Sequence, residues 1–157
     1  MGSPAFTLFH VVISFIGIVS GFIVLGGLIS ANRMPILTAI FLLFTALTTI
    51  TGYFFHDAQV TPAQIVGVIS LVLLAIAACG YYVFHLQGIW RAAYAGTAVA
   101  SLYLNFFVLV VQSFIKVPQF HALAPKGSEP PFAITQGVVL LLFVILGVVS
   151  VRRFHPD

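Results

Sequence analysis

The chain has 157 residues and carries only nine charged side chains, six Lys or Arg and three Asp or Glu, against a hydrophobic share of 61%, whereas a soluble domain holds about a quarter of its residues as charges. That leaves too little polar surface to cover a water-exposed globule, and the single cysteine, Cys79, excludes intramolecular disulfides, cysteine-based zinc sites and iron–sulfur clusters. The net charge of +3 is too small for a nucleic-acid footprint and reads as topogenic charge in a bilayer.

Apolar stretches of about 20 residues recur along the chain, each long enough to cross a bilayer, and place helices at about 7–30, 34–55, 62–84, 90–115 and 132–151. The expectation is one all-α domain over residues 1–157, a polytopic bundle of five transmembrane helices. The apolar runs are continuous, where a membrane β-barrel would alternate.

On the first helix His10, Ser14, Gly17 and Gly21 recur at spacings of 4, 3 and 4, which puts them on one face. Gly17 and Gly21 form a small-xxx-small seam for close packing against a helix of the same chain or of a second copy. The second helix is rich in threonine (Thr38, Thr45, Thr48, Thr49, Thr51), whose hydroxyls can bond the carbonyls three or four residues back. Tyr53 and His56 follow. Arg33 is the sequence midpoint between His10 and His56, so an antiparallel hairpin centred there sets the two imidazoles at nearly equal depth. Cys79 lies inside the third apolar run and is expected to be buried mid-span. Read as one helix, the run over 60–117 would be about 87 Å long, so the chain must fold back near His85–Arg91.

The fourth helix carries Thr97, Ser101, Asn105, Gln112 and Lys116 at spacings of 4, 4, 7 and 4, a polar stripe on one face. An unpaired amide in hydrocarbon is costly, so Asn105 and Gln112 are expected to face protein or water. The stripe, with His10, Ser14, His56 and His121, defines a candidate polar pocket opening outward. The loop from Lys116 to Phe132 holds four prolines and one glycine and is expected to be stiff and irregular, with Ser128 and Glu129 capping the fifth helix. Aromatic residues at span ends, among them Tyr53, Tyr81, Tyr82, Phe84, Trp90 and Tyr94, read as interfacial belts.

Arg33, Arg91, Arg152 and Arg153 fall on one side of a five-span chain and Lys116 and Lys126 on the other. The first side is expected to be cytoplasmic, which puts the amino terminus outside and the carboxyl terminus inside. No cleaved signal peptide or lipidation motif is expected.

The run LYLNFFVLVVQSFIKVPQFHALAPKGSEPPFAITQ (102–136), with FHVVISFIGIVSG near the start, resembles a group of small bacterial inner-membrane proteins described only as hypothetical multipass membrane proteins. The resemblance implies a bacterial inner-membrane location and transfers no catalytic residue.

Three function classes follow. The first is a non-enzymatic membrane module that binds a small ligand, ion or partner helix in the outward-facing pocket, as an accessory subunit, a homo-oligomer or part of a larger membrane complex. It has no nucleic-acid partner. It uses every feature above, and acidic pairs, nucleotide motifs and cysteine centres are absent from the sequence. The alternative is a redox protein in which His10 and His56 ligate the metal of haem b, or in which histidine, Gln112 and Lys116 hydrogen-bond a quinone. The third, a small channel or transporter, lacks the inverted repeat and buried carboxylate common in carriers.

Overall fold

Among the described residues, proline is the first helical residue of α1 (Pro4–Ile29), α2 (Pro35–Gly52), α3 (Pro62–Ala78), α5 (Pro118–Leu123) and α6 (Pro130–Arg153), while α4 (Ile89–Lys116) follows Gly88. Proline has no N–H to be orphaned in a first turn, and its fixed φ suits that position. The computed structural model describes residues 4–53, 62–126 and 129–155, and within them every side chain except those of residues 62, 63, 115 and 116. α1, α2, α4, α6 and α3 with its continuation are long and apolar enough to cross a membrane. They match the expected spans to within a few residues at each end.

α1 packs on α2, α4 and α6; α4 also packs on α3 and α6, and α2 on α3. The spans therefore close a ring in which α1 and α4 also touch. One end of the bundle, here the arginine end, gathers Arg33, Arg91, Arg152 and Arg153; the other carries α5.

At the arginine end the first hairpin turn is a Schellman closure. Asn32 N–H donates to the Gly27 carbonyl at 2.7 Å and Ala31 N–H to that of Leu28 at 3.3 Å, with Ala31 in the left-handed region at φ 60 where glycine is usual. A Cβ on Gly27 would meet the Met34 sulfur at 2.8 Å and the Asn32 carbonyl at 3.1 Å, so glycine lets the turn fold back on the helix. The second turn opens with a π-helical segment, Cys79–Val83, closed by Phe84 N–H to the Cys79 carbonyl at 2.9 Å. Gly88 then turns the chain at φ 56 and ψ −132, a conformation only glycine adopts freely.

The π-helical turn corrects two expectations. Cys79 is exposed on the bundle exterior. Tyr81 and Tyr94 are core residues, 9% and 1% exposed, because the extra residue in the turn rotates Tyr81 inward. The Tyr81 hydroxyl donates to the Arg33 carbonyl at 3.3 Å, and Tyr94 meets the Thr38 hydroxyl at 3.4 Å. Tyr82 and Phe84 stay exposed, and Phe84 stacks on Trp90 with ring centroids 4.2 Å apart.

Two more corrections concern the segment before α6. The stretch expected to be irregular contains α5, started by Pro118. Glu129 occupies the N-cap position without a side-chain cap bond; both its carboxylate oxygens accept the Lys126 N–H at 3.1 Å, pinning the preceding turn. Ser128 lies outside the described residues.

Two arginines cap carbonyls. Arg91 donates to the carbonyls of Val151 and Phe154 at 3.0 and 2.7 Å, and Arg153 to that of Ile29 at 2.9 Å. These bonds satisfy the last turns of α6 and α1 where a helix leaves acceptors orphaned.

The main apolar core fills the arginine half: Val24, Leu28, Phe41, Leu74, Tyr94 and Leu102 are all buried in one cluster. A smaller cluster, Val110, Phe114 and Ala124, joins α4 to the segment after α5. Between the two, α2 buries Thr45, Thr48 and Thr51, and α4 half-buries Asn105 among apolar neighbours.

Candidate functional site

The register of the helices fixes which polar groups share a level. A Cβ on Gly21 would lie 2.6 Å from Leu102 and 2.9 Å from Phe41, so α1, α2 and α4 meet closely there. One turn toward the α5 end, a Cβ on Gly17 would lie 3.2 Å from Thr45 Oγ1 and 3.3 Å from the Thr45 nitrogen. The Gly17–Gly21 seam is thus occupied within the chain by α2 and α4. Since α1 and α4 run antiparallel, residue 106 comes to the level of Gly17, and Asn105 lies within about one residue rise of Thr45.

At that level two polar atoms are left over. Thr45 Oγ1 and Asn105 Nδ2 are buried and have no hydrogen-bond partner among the described residues. Thr45 is 1% exposed. Its neighbours behave as expected for membrane threonines: Thr48, Thr49 and Thr51 donate to the carbonyls of Phe44, Thr45 and Leu47 at 2.7, 3.0 and 2.7 Å. Ser101, fully buried below Asn105, donates to the Thr97 carbonyl at 2.9 Å, and Thr97 to that of Ala93 at 2.7 Å. Those hydroxyls are structural.

Closer to the α5 end, His10 Nδ1 lies 2.7 Å from Thr51 Oγ1. The Thr51 hydroxyl also lies 2.7 Å from the Leu47 carbonyl. Ser14, on the same face, donates to the Val11 carbonyl at 2.7 Å. Gln112 continues the α4 stripe and is exposed. Along that face burial falls steadily, with Ser101 buried, Asn105 half-buried and Gln112 exposed.

The Lys116 side chain and all of His56 lie outside the described residues. Gly17 opposite Thr45 and Gly21 opposite Phe41 put residue 52 across from His10, whose Cε1 lies 3.7 Å from where a Cβ on Gly52 would stand. The turn is centred about Ala31, two residues before Arg33, because the Schellman closure consumes less chain than a turn centred on the arginine. His121 belongs to the α5 cap, with Nδ1 3.2 Å from the Phe114 carbonyl. It lines a separate cavity of about 190 Å³ with Val111, Ala124, Lys126 and Phe132. Among the described residues, no three His, Cys, Asp or Glu side chains come together as a metal site.

Sequence reasoning missed Thr51 as the partner of His10 and Thr45 as the threonine without an acceptor. Only the register could have found them. Gln136 on α6 was missed as well: its Nε2 donates to the Phe107 carbonyl at 3.3 Å, while its Oε1 is buried without a partner among the described residues.

No protein-family model matches this chain, and no curated protein or solved structure is found to be similar to it.

Proposed function

We propose that the protein is a multipass protein of the bacterial inner membrane and a non-enzymatic binding module. A polar cleft, open at the outer face of the membrane, takes up a small molecule bearing a carbonyl or hydroxyl oxygen. The observation that carries this reading is the pair of buried, unpartnered polar atoms, Thr45 Oγ1 and Asn105 Nδ2, at one level just beyond the apolar core. Each such atom costs about 1–3 kcal/mol when unpaired. An amide donor and a hydroxyl at that depth are complementary to an oxygen-bearing guest. His10, held by Thr51, and Gln112 line the route toward the mouth. Orientation follows from the basic residues: four arginines at one end favour its retention in the cytoplasm, which sets the α5 end outside.

Cysteine labelling in intact cells tests the cleft and the orientation together. In a Cys79→Ser background, Gln112→Cys and Asn105→Cys should react with a membrane-impermeant thiosulfonate added outside, the former faster, while Ser101→Cys should not. Failure of Asn105→Cys to react from either side would refute the cleft. Reaction only in inverted vesicles would refute the orientation.

A further inference from the structure

The arginine half of the bundle carries a second, chemically opposite site on its exterior. A groove of about 460 Å³ runs between α4 and α6, over Gly96, Ala100 and Tyr103 on one side and Leu140, Phe143 and Gly147 on the other, and ends at Arg152. Helix contact does not require its two glycines. A Cβ on Gly96 would come no nearer than 3.8 Å to Val151, and one on Gly147 no nearer than 3.6 Å to Val99, which are ordinary contact distances. The missing side chains shape the groove. At Gly21, by contrast, a Cβ would collide with its neighbours.

From Leu140 to Arg152 the groove follows twelve residue rises of α6, about 18 Å at 1.5 Å per rise. Half the hydrocarbon thickness of a bilayer is about 15 Å. The groove is therefore one leaflet deep, apolar along its length and cationic where it reaches the surface. The three arginines around it are used differently. Arg91 and Arg153 are committed to carbonyls, whereas Arg152 is exposed and makes no hydrogen bond or ion pair among the described residues. The only described carboxylate, Glu129, lies at the opposite end.

We infer that this groove holds one acyl chain of an anionic phospholipid from the leaflet at the arginine end, with the phosphate-bearing headgroup paired to Arg152. An acyl chain is already in hydrocarbon, so the groove supplies shape and residence while the guanidinium supplies selection for negative headgroups. The inference rests on the reading of the five helices as membrane spans and is independent of the polar cleft.

The test is native mass spectrometry of protein reconstituted into vesicles of equal parts phosphatidylcholine and phosphatidylglycerol. Wild type should retain phosphatidylglycerol preferentially. Arg152→Gln should lower that preference about fivefold, the ratio equivalent to ~1 kcal/mol for one basic residue at an anionic surface. Gly147→Leu, which fills the groove, should reduce retention of both lipids, and Gly137→Leu, on an open part of α6, should change neither. Equal retention of both lipids by wild type, or unchanged retention in Arg152→Gln and Gly147→Leu, overturns the inference. A wild-type dimer that dissociates in Gly147→Leu with lipid unchanged overturns it in favour of a second copy. A chain that fails to fractionate with membranes refutes the membrane reading itself before any lipid is measured.

Discussion

Replacing Thr45 by valine keeps the shape of the side chain and deletes the hydroxyl. The structure gives that change an unusual sign. Thr45 Oγ1 is buried, unpartnered among the described residues and pressed against Gly17. Removing an orphaned buried group recovers part of a penalty of about 1–3 kcal/mol, whereas removing a bonded one forfeits a bond and strands its partner. Thr45→Val should therefore raise the stability of ligand-free protein by about 1 kcal/mol, and the near-isosteric Asn105→Leu by a similar amount. Reversible unfolding in mixed micelles, followed by tyrosine and tryptophan fluorescence, measures both. The same substitutions should abolish retention of any small molecule that co-purifies with wild type. In a double-mutant cycle the two changes should be additive without the guest and coupled with it. A loss of more than about 1 kcal/mol for each single variant would show that both groups are interhelical glue and refute the reasoning.

Gly21→Val should destabilise the bundle by about 1–3 kcal/mol, since its Cβ and added methyls must displace Leu102 and Phe41; the same unfolding assay reads it, and wild-type stability would contradict the α1–α2–α4 register. Arg91→Gln deletes two charge-assisted bonds to the end of α6 and should cost about 1–2 kcal/mol, less than two buried bonds because interfacial water can replace them. Faster amide exchange at Val151–Phe154 would locate the effect. A loss spread evenly over the bundle would argue against a capping role.

The span boundaries were legible because twenty-residue apolar runs bounded by proline and glycine leave few alternatives. The stripe on α4 followed from helical period alone, and the structure keeps Ser101 and Asn105 inward while leaving Gln112 open. What the sequence could not carry was rotation and register. The π-helical turn at Cys79 has no compositional signature, yet it decides that Tyr81 turns into the core and Cys79 outward. Ala31 takes a left-handed conformation that composition assigns to glycine, and this moves the hairpin centre away from Arg33. The observed bond of His10 to Thr51 follows from that register; His56 lies outside the described residues. α5 was hidden because the prolines that announce an irregular loop also start short helices, and Pro118 does so here. No pattern of residue types marks one threonine of five on α2 as the one without an acceptor; that depends on Gly17 lying against it.

The side-chain amide of Asn105 reports most directly on whether the centre of the bundle is a binding cleft. The chain has two asparagines, Asn32 and Asn105, so Asn32→Ser leaves a single asparagine side-chain resonance in a nitrogen-edited spectrum of protein in lipid nanodiscs with labelled asparagine. A binding cleft predicts cross-peaks from that amide to the guest when one is bound, and none to water in ligand-free protein, where Nδ2 is buried and unpartnered among the described residues. Cross-peaks to lipid methylenes or neighbouring apolar side chains alone, unchanged by anything added to the outer face, would contradict it.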